Sequence, residues 1–120
     1  MIDDTAKAMA LAAKMEAHLP IRVRPTGAFV RLMRQHRIKI DRDRELSVRR
    51  VFYMGDEAGI SCDVTPPEME KTPIICSLTQ LRVISSHPLA KEIRAYQRER
   101  ASKLARAGQT PGSFSVKPRK

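Results

Sequence analysis

Apolar positions recur along this chain with two periods, and each change of period marks a new element. Between residues 3 and 18, Ala6, Met9, Ala10, Ala13 and Ala17 return at helical spacing. This predicts an amphipathic helix, with Asp3 or Asp4 at its start and Pro20 beyond its end. Alanine buries little area, so such a helix packs closely but weakly. The stretch "IRVR", 21–24, alternates apolar and basic residues, the period of a short strand. Thr26 suits the N-cap of a second helix, in which Phe29, Leu32, Met33 and His36 fall at i, i+3, i+4 and i+7.

Beyond residue 46 the period shortens to two. "SVRRVFYM" predicts a strand ending at Gly55. "GISCDV" alternates strictly, with Ile60, Cys62 and Val64 on one face and Ser61 and Asp63 on the other. "PIICSL" predicts a third strand, reached through "TPPEMEKT", whose prolines oppose strand pairing. "TQLRVI", 79–84, fits either an extension of that strand or a turn of helix. A long helix then follows, with Ser86 as N-cap, Pro88 in its first turn and Gly108 as its stop. Its apolar stripe is Leu89, Ile93, Tyr96 and Leu104. The order predicts an α+β fold: a small antiparallel three-stranded meander packed against two N-terminal helices and one long C-terminal helix. The length suits a single compact domain over residues 1–107, followed by a flexible basic tail over 108–120.

The stretch "FYMGDEAGISCDV" has the residues of a hairpin turn. Gly55 and Gly59 supply backbone angles other residues resist, and Asp56 and Glu57 fall at the tip. A metal or acid–base site built from Asp56, Glu57 and Asp63 is disfavoured. Asp63 lies four strand residues past Gly59, about 13 Å from the tip, whereas metal-bound carboxylates come within about 2.5 Å of the ion. A Cys62–His87 nucleophile is also disfavoured, because Cys62 shares a face with Ile60 and Val64 and His87 precedes Pro88 at a helix start. If Val64 pairs with Ile74, Cys62 lies directly opposite Cys76. Neither zinc-type ligand pairs nor a Gly-rich phosphate loop is present. The sequence therefore predicts no catalytic residue, metal or cofactor, and a protein that is not an enzyme.

Charge adds the functional clue. Charged residues make up 30% of the chain, with a net charge of +10 and arginine exceeding lysine. The charge is unevenly spread: about neutral over 1–21, strongly basic over 22–50, acidic over 51–81 and strongly basic again over 82–120. Arginine's planar fork suits bidentate contact with phosphate or carboxylate. Arg22 and Arg24 alternate out of "IRVR", Arg31 and Arg34 lie off the apolar face of the second helix, and the long helix presents Lys91, Arg94, Arg98, Lys103 and Arg106. These nine residues are the expected binding set, and the expected partner is nucleic acid, DNA or RNA, held mainly by its phosphates. The alternative is a regulatory or interaction protein whose basic surface meets an acidic protein partner. A winged helix fits poorly, because "RIKIDRDREL" stands where its recognition helix would be and the tip "GDEAG" is acidic. No window approaches the roughly 18 apolar residues of a membrane span, and the acidic start lacks the features of a signal peptide. A cytoplasmic location with reduced thiols is the expectation, with no membrane partner and a homodimer left open.

Overall fold

The computed structural model describes residues 4–106, with the side chains of Asp56 and Glu57 outside the description. The expected tail over 108–120 and its Gly108 boundary also lie outside the described residues.

Helix α1 spans Thr5–Ala17, and Asp4 caps it by accepting a hydrogen bond from the Lys7 N–H at 3.2 Å. Its buried face is Ala8, Leu11 and Met15 rather than the expected stripe through Ala6, Met9, Ala10, Ala13 and Ala17. Met9 is 55% exposed. The helix turns inward the face that carries Leu11 and Met15, whose apolar area far exceeds that of alanines.

Strand β1, Ile21–Pro25, forms the centre of one antiparallel sheet. Its burial alternates, with Ile21, Val23 and Pro25 inward and Arg22 and Arg24 outward. It pairs on one side with β2, Leu46–Val48, and on the other with β6, Leu81–Val83. The second sheet is the expected meander: β3, Arg50–Tyr53, β4, Ile60–Asp63, and β5, Ile75–Ser77, in that spatial order. The fold is α+β, with one sheet more than the sequence pattern indicated. The single strand expected at 47–54 is two strands in different sheets. Val48 pairs with Ile21, whereas Arg50 pairs with Asp63, so the chain changes partner at Arg49. The stretch 79–84 begins as a 3-10 turn, Leu78–Gln80, and then becomes β6, which pairs with β1 and does not extend β5.

Helix α2, Gly27–Gln35, starts at the expected cap: the Thr26 hydroxyl accepts from the Phe29 N–H at 3.2 Å and donates to the Gln80 carbonyl at 3.0 Å. Phe29 and Met33 are buried, Leu32 is half-buried and His36 is exposed. Between β3 and β4 a single helical turn, α3, Gly55–Ala58, closes the hairpin, and the Met54 N–H donates to the Gly59 carbonyl at 2.8 Å. Helix α4 spans Ala90–Arg106. It starts later than Ser86, because the His87 ring Nδ1, not the serine, accepts from the Leu89 N–H at 3.0 Å. The stripe Leu89, Ile93 and Leu104 is buried and Tyr96 half-buried. Arg100 joins the same face at 3% exposure.

The register places Cys62 opposite Cys76, as the Val64–Ile74 pairing requires, and both are buried free thiols. Burial pushes the Cys62 thiol up to about 12 and holds Cys76 well above the ordinary thiol value, so neither carries thiolate at neutral pH.

Candidate nucleic-acid interface

The basic residues are sorted by the sheet register and by α4. On the outer face of the first sheet, Arg24 lies directly opposite Arg82. Like charges placed so are unfavourable in a strand pair. The Arg82 guanidinium is drawn aside by two backbone carbonyls: Nε donates to Pro25 O at 3.1 Å and an Nη to Arg42 O at 2.8 Å. Helix α4 runs beside this strand pair. Gln97 ties it down, its Nε2 donating to the carbonyls of Leu78 at 2.8 Å and Leu81 at 2.7 Å. One turn earlier, Arg94 donates to the Ser85 hydroxyl at 3.2 Å and reaches Val83 O at 3.5 Å.

Between β6 and α4 lies an open groove of about 920 Å³. Arg24, Arg82, Arg94 and Arg98 all line it, and among the described residues no aspartate or glutamate does. Arg24 and Arg98 have no acidic partner among the described residues. Among the described residues no aromatic ring lines the groove either. Two guanidinium groups are pre-oriented by carbonyl or hydroxyl acceptors; Arg24 forms no ion pair among the described residues, nor does Arg98, which also borders the mixed-charge groove between α1 and α4. Such an arrangement suits an anion with several oxygens.

Of the nine residues the sequence pointed to, the groove brings together Arg24, Arg94 and Arg98. Arg22 shares the outer sheet face but approaches Glu45 at 3.6 Å. Arg31, Arg34 and Lys91 are exposed without lining the groove. Lys103 faces a different groove, between α1 and α4, where Lys7 and Lys14 mix with Asp4, Glu92 and Glu99. There Lys14 and Glu92 form an ion pair at 2.7 Å. Arg106 is exposed and donates to the Ser102 hydroxyl at 2.9 Å. Arg82 is the residue that sequence reasoning missed. Its signal was the alternation Leu81–Arg82–Val83, obscured because the segment fitted helix as well as strand.

The residues weighed for catalysis lie apart from the groove between β6 and α4. Cys62 packs in the core. His87 caps the approach to α4, with its ring 5.6 Å from that of His18, edge to face. Burial and the neighbouring His18 both lower its affinity for a proton. Asp63 is 1% exposed and sits opposite Arg50 in the register. Its Oδ2 accepts from Arg50 at 3.0 Å, and its Oδ1 accepts from the Thr65 amide at 3.0 Å and hydroxyl at 2.6 Å. The Thr65 hydroxyl in turn accepts from the Ile74 N–H at 2.8 Å, which closes the connection from β4 to β5. Burial alone would raise the Asp63 pKa, but the bonds from Thr65 and Arg50 and the charge of Arg49 outweigh it and hold the carboxyl below its usual range. Asp63→Asn is expected to cost about 2 kcal/mol at neutral pH, measured by urea unfolding. A carboxyl with a lowered folded-state pKa stabilises fully above its ordinary value of about 4 and loses that contribution as pH falls through the folded-state value. The difference between wild type and variant is therefore expected to shrink below about pH 4. Among the described residues, no three His, Cys, Asp or Glu side chains converge as metal ligands. No described helix is long and apolar enough to cross a membrane.

No protein-family model, curated protein or solved structure matches the chain.

Proposed function

We propose that this protein binds nucleic acid through the sugar-phosphate backbone, with the strand seated in the groove between β6 and α4. The observation that supports this reading is the convergence of Arg24, Arg82, Arg94 and Arg98 on one groove without an acidic residue. A chain that places two arginines opposite each other in a sheet accepts an electrostatic cost, and an incoming polyanion relieves it. Phosphate contact without base stacking gives binding with little sequence preference. A cytoplasmic setting belongs to the same proposal; there the facing thiols Cys62 and Cys76 stay reduced.

The test is fluorescence anisotropy of labelled duplex DNA and single-stranded RNA, titrated with the full chain at several salt concentrations. Four arginine–phosphate contacts are expected to give a slope of log K against log salt of about −3 to −4. Absence of binding at low salt, or a slope near zero, overturns the proposal. Preference for polyglutamate over both nucleic acids would assign the groove to an acidic protein partner.

A further inference from the structure

A second surface lies on the other side of the 3-10 turn at 78–80. The spatial order β3–β4–β5 leaves β5 at an edge. The Val64 N–H donates to Ile74 O at 2.9 Å, so residues 74 and 76 turn their backbone groups toward β4. Alternation of the antiparallel ladder then turns the N–H and C=O of Ile75 and the N–H of Ser77 outward, while the Ser77 C=O opens the 3-10 turn that follows. Ile75 is 52% exposed, the one large apolar side chain so exposed on any described strand. Beside this edge runs a groove of about 420 Å³, floored by Phe29 and Met33 of α2 and flanked by Leu32, Ile38 and Ile74. Among the described residues no acidic one lines it. The exposed cations Arg37, Lys39 and Lys71 immediately adjoin its lining segments in the chain and outnumber the one anion among their neighbours, Glu70 beside Lys71.

We infer that this edge docks an extended acidic segment of a partner protein, added as a fourth strand beside β5. Outward backbone groups next to an apolar trough are what strand addition uses: the main chain pairs with the edge, and alternate side chains enter the trough. Charge decides the occupant. The chain carries +10, so a second copy meets repulsion, whereas a segment alternating apolar and acidic residues is attracted by the cationic flanks. The edge is only three residues long and Pro73 precedes it, so the trough must supply much of the affinity. This surface shares only Gln80 with the arginine groove, so it stands or falls separately from nucleic-acid binding.

The test uses the isotope-labelled full chain and a short acetylated peptide of alternating glutamate and valine, followed by NMR and amide hydrogen exchange. The expected result is exchange protection of the Ile75 and Ser77 amides, with shift changes at Leu32, Met33 and Ile38. The lysine–valine counterpart and a peptide with a central proline should leave these residues unchanged. Ile75→Ser, which removes the apolar contact without adding charge, should weaken the glutamate–valine peptide by about tenfold, equivalent to about 1.4 kcal/mol. An otherwise unchanged spectrum would show that the variant folds. Shift changes confined to Arg24, Arg82, Arg94 and Arg98 would overturn the inference, as would equal binding of both charge types. Concentration-dependent dimerisation through β5 without peptide would give the edge to a second copy and also overturn it.

Discussion

Gly59→Ala is expected to destabilise the protein by about 3 kcal/mol, lowering Tm by on the order of 15 °C. Two causes act at this position. Gly59 has φ 65° and ψ −142°, a backbone conformation that residues with a Cβ adopt only under strain. A Cβ built there would also collide with the Tyr96 hydroxyl and fall 2.9 Å from the Arg100 guanidinium. Neither neighbour can yield cheaply. The Tyr96 hydroxyl accepts from the Ile60 N–H at 3.0 Å, and Arg100 is buried in the face of α4 that packs on the hairpin. Gly55→Ala provides the control. Gly55 has φ 78°, but open space surrounds its Cβ position. It is expected to cost about 1 kcal/mol, from the backbone alone. Urea unfolding of both variants separates the two causes. Equal losses would mean that the close approach of Tyr96 and Arg100 contributes nothing.

Replacing Arg24, Arg82, Arg94 and Arg98 together by glutamine is expected to lower nucleic-acid affinity on the order of 100-fold near physiological salt. The salt slope should flatten by about 3 units, measured by the same anisotropy titration. The fold should survive. Arg24 and Arg98 are exposed and lack an acidic partner among the described residues, so Arg24→Gln/Arg98→Gln should leave stability unchanged within about 0.5 kcal/mol. Relief of the Arg24–Arg82 opposition acts in the stabilising direction. Arg82 holds two carbonyls, and its replacement should cost about 1 kcal/mol. Affinity and stability thus move apart, a pattern that a merely solvated charge surface does not produce. Lys91 and Lys103 lie outside the groove, and Lys91→Gln/Lys103→Gln serves as the matched control.

Elements with strong local signals were legible in the sequence. The caps Asp4 and Thr26, the faces of α2 and α4, the glycine-bounded hairpin and the opposition of Cys62 and Cys76 all rest on spacing within one or two neighbouring elements. The face of α1 was misread because an alanine-rich segment has two helical stripes of similar period. Only the larger areas of Leu11 and Met15 decide between them. The first sheet was invisible for a different reason. Its strands lie at 21–25, 46–48 and 81–83, and pairing across such separations leaves no trace in periodicity. The strand at 47–54 shows the same limit, since nothing local in "SVRRVFYM" marks the change of partner at Arg49. The candidate site inherits this. Arg24, Arg94 and Arg98 were legible singly as outward arginines, but the groove that joins them exists only through the β1–β6 pairing, which also brings in Arg82.

That pairing has a consequence for the order of events during synthesis. The β3–β4 hairpin joins residues close in sequence and forms without waiting for the rest of the chain. The arginine groove cannot, because its walls come from residues 24, 82, 94 and 98. Until α4 has been made and has docked through Gln97, Arg94 and Arg98 are not held beside Arg24 and Arg82. The β1–β6 pairing brings Arg24 and Arg82 together, and only the docking of α4 adds Arg94 and Arg98, so the full cationic set exists only where both contacts have formed.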